Sequence, residues 1–114
     1  MSYKRTLRGV DYLIQNELDT AREYYGETFA SMHEGAAVLK EEIEEADHEM
    51  IEANGFYKLV WDAVKEDDEK EARAMAEEIA SRAERLACEA IQVAAMALKF
   101  VDTVEGMEAD DGDK

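Results

Sequence analysis

Proline is absent from the 114 residues, and there is a single cysteine, Cys88. Without proline, nothing in the chain forbids long unbroken helices. A lone cysteine forms no internal disulfide, and with no CxxC pair a zinc site has no scaffold. Basic residues are also scarce: 13 Lys and Arg stand against 29 Asp and Glu, a formal net charge of −16. Proteins that grip duplex nucleic acid neutralise phosphates with Lys and Arg, so this balance argues against nucleic acid as a partner. An anionic membrane surface is disfavoured on the same ground. No apolar run approaches the roughly 20 residues that span a bilayer. The first apolar residues are diluted by Lys4, Arg5, Arg8 and Asp11, so no signal peptide is expected. The expectation is a soluble, acidic, cytoplasmic domain whose charge excess serves either solubility or a high-salt interior. The length fits one domain that buries roughly two-thirds of the surface of its unfolded chain. Residues 1–107 are expected to form that domain, and 108–114 a disordered acidic tail.

Ala, Glu, Leu, Met and Lys dominate the later two-thirds, and these residues lose little entropy in a helix. Apolar positions at Phe29, Met32, Ala36, Leu39, Ile43, Ala46 and Met50 step by three and four, so they predict a helix with one apolar stripe. The pattern returns at Ala83, Leu86, Ala90, Val93, Ala97, Phe100 and Val104. A first helix carrying Val10, Leu13, Ile14, Leu18 and Ala21 is predicted to stop near Tyr25-Gly26. Asn54-Gly55 is read as the end of the second helix, and Phe56 to Val64 as a short third one. Lys65 to Glu69 is read as a turn, and a break is expected near Ser81 in the long segment that follows. Trp61 and Tyr57 are expected to pack under the third helix, Met32, Met50, Met75 and Met96 to fill core, and Cys88 to be an inert packing residue. These elements amount to an all-α, four-helix-type bundle completed by oligomerisation.

Chemistry concentrates in carboxylates. Glu42, Glu45 and Glu49 share one helical ridge beside the apolar stripe. Glu89 stands between Leu86 and Ala90 as Glu42 stands between Leu39 and Ile43. Packed together, the two helices would bring Glu42, Glu45 and Glu89 into one cleft. Carboxylates that close repel and raise one another's pKa values, and a hard divalent cation such as Mg²⁺ relieves the repulsion. The same spacing recurs at Glu41–Glu44, Glu49–Glu52 and Glu66–Glu69, so a solvated charged face is an equally open reading of the spacing. Glu45-Ala46-Asp47-His48 also has the Glu-x-x-His form of di-iron bundles, with a symmetric dimer needed to supply the second copy. No Gly-rich loop precedes a helix, so a P-loop is not expected.

Two strings carry more specificity: HEGAAVLKEEIEEADHEM, His33 to Met50, and LACEAIQVAAMALKFVD, Leu86 to Asp102. Together they resemble the MazG-like all-α nucleoside-triphosphate pyrophosphohydrolases, in particular the small versions of phage and prophage genomes. The resemblance covers residues 29–50 and 82–104 and reaches the middle of the chain by helix order alone. That family carries EExxE on one helix and ExxD on a later one. Glu41-Glu42-Ile43-Glu44-Glu45 supplies the first, and Glu89-Ala90-Ile91-Gln92 stands for the second, with Gln92 where the family has aspartate. The resemblance implies Mg²⁺ held by Glu42, Glu45 and Glu89, with the neutral oxygen of Gln92 as a weaker fourth ligand. It also implies that Glu41 orients or deprotonates water, and that Arg82, Arg85 or Lys99 meets phosphate oxygens. Base selection would rest on Phe29, His33, Tyr12 or Tyr24. The implied activity is hydrolysis of a nucleoside triphosphate to the monophosphate and pyrophosphate by a homodimer or homotetramer. The departure at Gln92 leaves an alternative, a catalytically inactive helical oligomer serving as an interaction module.

Overall fold

The computed structural model describes residues 3–112. They form three helices and no strand: α1 (Tyr3–Tyr25), α2 (Met32–Lys65) and α3 (Glu69–Gly112). No described helix is long and apolar enough to cross a membrane. The helix ends follow local chemistry. Gly26, at φ 94°, closes α1 by donating its N–H to the Arg22 carbonyl at 2.9 Å, the left-handed cap that glycine adopts without strain. Ser31 opens α2, its Oγ accepting the Glu34 N–H at 3.1 Å. The predicted turn after Lys65 is present. Asp67 takes a left-handed conformation at φ 54°, and Asp68 donates its N–H back to the Ala63 carbonyl at 2.9 Å. The Asp68 carboxylate then caps α3 by accepting the Glu71 N–H at 3.0 Å.

Two predicted breaks are missing. α2 runs through Asn54-Gly55 and α3 runs through Ser81, so the expected second and third helices are one and the chain has three helices. Partly or fully buried residues recur on α2 at Ala46, Glu49, Ala53, Phe56, Val60 and Ala63. On α3 they recur at Ala72, Met75, Ile79, Arg82, Leu86 and Glu89. The three-and-four rhythm crosses Gly55 without a change of phase, and Gly55 itself is exposed. A glycine in an exposed helix interior costs only about 1 kcal/mol, which continuous packing outweighs. The segment expected to leave order at Glu108 is helical to Gly112. Asp113 and Lys114 lie outside the described residues.

The chain divides into two compact units, Met1–Glu42 with Ala90–Lys114, and Ile43–Glu89. In the first, Leu18 and Ala21 of α1 pack with Phe29 and with Ala95 and Met96 of α3, flanked by Ile14, Val38, Leu39 and Phe100. Gly35 allows the close approach here: a Cβ on it would stand 2.5 Å from the Phe100 ring and 2.9 Å from that of Phe29. Thr103, 3% exposed, accepts the Phe29 N–H and donates to the Lys99 carbonyl, both at 2.9 Å. Arg22 pairs with Asp102 and, at 3.5 Å, with Glu27. The hydrogen bond to Asp102 is the largest influence raising the Arg22 pKa.

The second unit is an antiparallel hairpin of α2 and α3. The expected apolar stripe is shifted by one residue here. Ile43 and Met50 are 53% and 46% exposed, while Glu49, Arg82 and Glu89 occupy the seam. Arg82 stacks on Phe56 at 6.0 Å and pairs with Glu49 at 3.4 Å, so a charged pair fills a place that the sequence pattern reserves for apolar side chains. Tyr57, Trp61 and Cys88 are exposed rather than packed. Of the four core methionines expected, Met96 is buried and Met75 is half-buried, but Met32 and Met50 are exposed. Side-chain pattern alone cannot say which of two adjacent stripes faces the neighbouring helix.

Candidate functional site

The EExxE segment lies wholly within α2, so its side chains are fixed by helical spacing. Glu42 and Glu45 are one turn apart and offer carboxylate oxygens within 4.8 Å of each other; Glu45 and Glu89 do the same across the hairpin seam. Glu89 is held there because it continues the α3 seam one turn beyond Leu86. Its pKa is raised: first by partial burial, then by the negative charge of Glu45, a hydrogen bond shared with Glu45, and the charge of Glu49.

The other expected site residues are placed by the same helices but are not all brought together. Glu41 is exposed and stands one turn before Glu45 on the same helix. Arg85 is exposed and stands one turn before Glu89. Gln92 follows Glu89 by one turn, half-buried in the first unit, where its Nε2 donates to Glu17 at 2.8 Å. A carboxylate cannot donate, so this bond fixes the orientation of the amide and turns its oxygen away from Glu17. Glu17 is the residue that sequence reading missed. It sits on an exposed-looking ridge of α1, 75 positions from Gln92, and nothing in the local pattern marks it.

Within the first unit, a cavity of about 440 Å³ is lined by Glu17 and Ala21 of α1, Val38 and Glu42 of α2, and Gln92, Met96 and Lys99 of α3, with Tyr25 and Phe29 beside them. Lys99 is 3% exposed. Its ammonium lies 4.7 Å from the centre of the Phe29 ring. The carboxyl side chains of Glu17, Glu34 and Glu42 line the same cavity. Phe29 and Tyr25 both line this cavity. Tyr12 and Tyr24 are exposed and do not line the cavity. His33 lines a separate shallow groove of about 240 Å³ with Met32, Ala36 and Phe100, so it is not brought to Lys99. His48 is exposed beside Glu52 at 3.8 Å and stands outside the carboxylate grouping, which leaves the di-iron reading without its histidine.

The donor set suits a hard cation. It consists of carboxylate oxygens alone and offers no sulfur or imidazole. Compared with known proteins, the chain matches no family model, no curated protein and no solved structure.

Proposed function

We propose that the chain is a Mg²⁺-dependent nucleoside-triphosphate pyrophosphohydrolase of the MazG-like all-α kind, acting as a homo-oligomer in the cytoplasm. The observation that carries the reading is the Glu45–Glu89 pair, whose carboxylate oxygens lie within 4.8 Å of each other, with Glu42 one turn away on the same helix. Glu42, Glu45 and Glu89 would hold the cation, with the free oxygen of Gln92 nearby. Bound there, Mg²⁺ would neutralise phosphate charge and favour the leaving pyrophosphate. Glu41, exposed to solvent, takes the proton of the attacking water. The water oxygen bonds to the α-phosphorus while the bond to the bridging oxygen breaks, giving the monophosphate and pyrophosphate. Lys99 receives phosphate oxygens from its buried position, where a charge-assisted hydrogen bond is stronger than at the surface. Arg85, exposed on α3, would supply a further phosphate contact. Val38, Met96 and Phe29 give the cavity an apolar wall for the nucleoside.

Pyrophosphate release, measured across all eight NTPs and dNTPs with Mg²⁺, tests the activity. Glu45→Gln should abolish it, and in metal-free thermal melts the same variant should be more stable than the parent because a like charge is removed. Added Mg²⁺ should then stabilise the parent more than the variant. Equal Mg²⁺ responses would remove the site. A second reading, a catalytically silent helical oligomer, is favoured by one observation: Gln92 is tied to Glu17 and brings no charge to the cation. Failure of all eight nucleotides to release pyrophosphate would select it.

A further inference from the structure

Glu17 stands at a definite level of the first unit. Its carboxylate accepts a hydrogen bond from Gln92 Nε2 at 2.8 Å, it is half-buried, and it lines the cavity of about 440 Å³. On the opposite wall, Gly35 of α2 lies against the Phe100 ring of α3. About two turns forward along α2 and two turns back along the antiparallel α3 stand Glu42 and Val93, the neighbour of Gln92. Glu17, Gln92 and Glu42 therefore share one level, and all three line the cavity. Val38 and Met96 line it one turn further from that level, on α2 and α3.

We infer that Glu17 selects the sugar of the nucleotide by accepting hydrogen bonds from its 2′- and 3′-hydroxyls, which makes ribonucleoside triphosphates the preferred substrate class. The inference rests on the nucleotide reading above. With the α-phosphate beside a cation at Glu42, the sugar is the next group along the ligand, and the base beyond it reaches the apolar wall of Val38 and Met96. A carboxylate accepts and does not donate, so Glu17 is a poor neighbour for phosphate oxygens and a good one for hydroxyls. Ribose presents two O–H donors on adjacent carbons, which suit the two oxygens of one carboxylate; an acidic side chain reads a ribose 2′-hydroxyl in the same way at dinucleotide sites. Gln92 orients the carboxylate before the ligand arrives. With its N–H committed to Glu17, that donor does not compete for the acceptor positions left over. Deoxyribose lacks the 2′-donor and leaves part of a half-buried acceptor unpaired, and an unmade hydrogen bond to a charged group is the expensive kind.

The experiment sets each ribonucleotide against its deoxy counterpart, using the full chain and Mg²⁺. For every base hydrolysed, kcat/KM should favour the ribonucleotide by roughly 10- to 100-fold. Glu17→Gln should bring that ratio towards unity by slowing the ribonucleotide. Glu23→Gln removes the same charge from the same helix at an exposed position outside the cavity and should keep the parent's ratio. A parent that treats the two sugars alike or prefers deoxyribose, or a Glu17→Gln variant that keeps the parent's ratio, overturns the inference. Should Glu17→Gln fail to fold, the parent decides with 2′-deoxy-2′-fluoro-ATP, which keeps a polar group at the 2′ position but has no donor there: behaviour like dATP supports the contact, and behaviour like ATP refutes it. Loss of the enzyme reading is visible separately. If no nucleotide is turned over, calorimetry with ATP and dATP in the presence of Mg²⁺ reads the same selection as a ratio of Kd values. Tighter ATP binding that Glu17→Gln abolishes supports sugar selection without catalysis; equal binding, or none, refutes it.

Discussion

Restoring an aspartate at position 92 should damage the protein unless Glu17 is changed with it. Gln92 donates to Glu17 at 2.8 Å in a partly buried place. Gln92→Asp removes the donor and sets a second negative charge against the first. Loss of a hydrogen bond to a charged group costs about 1.5–3 kcal/mol. Two carboxylates about 4 Å apart repel by about 4 kcal/mol at an effective dielectric of 20. Rotation of one side chain, or uptake of a proton, relieves part of this, so the net cost of Gln92→Asp is expected at about 2–4 kcal/mol at pH 7. Glu17→Gln leaves an amide pair that still bonds and should cost about 1 kcal/mol. The double variant Glu17→Gln/Gln92→Asp reverses the polarity of the bond and should lie within about 1 kcal/mol of the parent. The cycle therefore has a favourable coupling of about 2 kcal/mol or more. Urea unfolding of all four proteins without divalent cations measures it. At pH 5 the single variant should recover part of its loss, because one member of the repelling pair then takes a proton. Additivity within about 0.5 kcal/mol would refute the pairing. In calorimetry the double variant, with its carboxylate one turn beyond Glu89, should also bind Mg²⁺ more tightly than the parent.

Three further outcomes are expected. Glu89 has a raised pKa, so the folded state holds its proton more readily than the unfolded one. Its ionisation destabilises the protein at neutral pH, and that cost fades as the pH falls towards the ordinary value of 4.5. Glu89→Gln should raise the cation-free melting temperature at pH 7 and flatten its rise between pH 7 and 5; an unchanged slope contradicts this. Asp67 pays for a left-handed conformation that glycine adopts freely, so Asp67→Gly should raise stability by about 0.5–1 kcal/mol in urea titrations. Gly35→Ala would drive a methyl into the Phe29 and Phe100 rings and should lower stability by about 1–3 kcal/mol despite alanine's better helix propensity; a gain in stability would show that the rings move aside.

Much of the architecture was legible in composition and rhythm. The absence of proline and the three-and-four spacing announce long helices, and Gly26 and the polar run after Lys65 announce where two of the connections fall. What stayed hidden depended on contacts distant in sequence. Asn54-Gly55 has the chemistry of a stop, but Phe56, Val60 and Ala63 keep α2 in phase against α3. Ile43 and Met50 look like seam residues because they are apolar, yet the seam takes Glu49 and Arg82, whose charges satisfy each other. The equivalent placement of Glu42 and Glu89 beside their stripes could be read from spacing alone, since it needs only helix geometry. Glu17 could not, because one side of α1 looks much like another until Gln92 selects it.

The two units share α2 and α3 without interruption, and this constrains how the length of the hairpin can vary. Seven residues advance a helix by about 10.5 Å and nearly two whole turns, with a residual rotation of about 20°. Removing residues 53–59 from α2 together with 76–82 from α3 would therefore shorten the hairpin while leaving Glu45, Glu89 and every residue of the first unit in phase. A deletion from one helix alone, or of three or five residues from both, would rotate one side of the junction relative to the other. Natural length variants of this chain should accordingly differ by paired heptads, gained or lost on both helices together, as a zip fastener is shortened by taking the same number of teeth from each side.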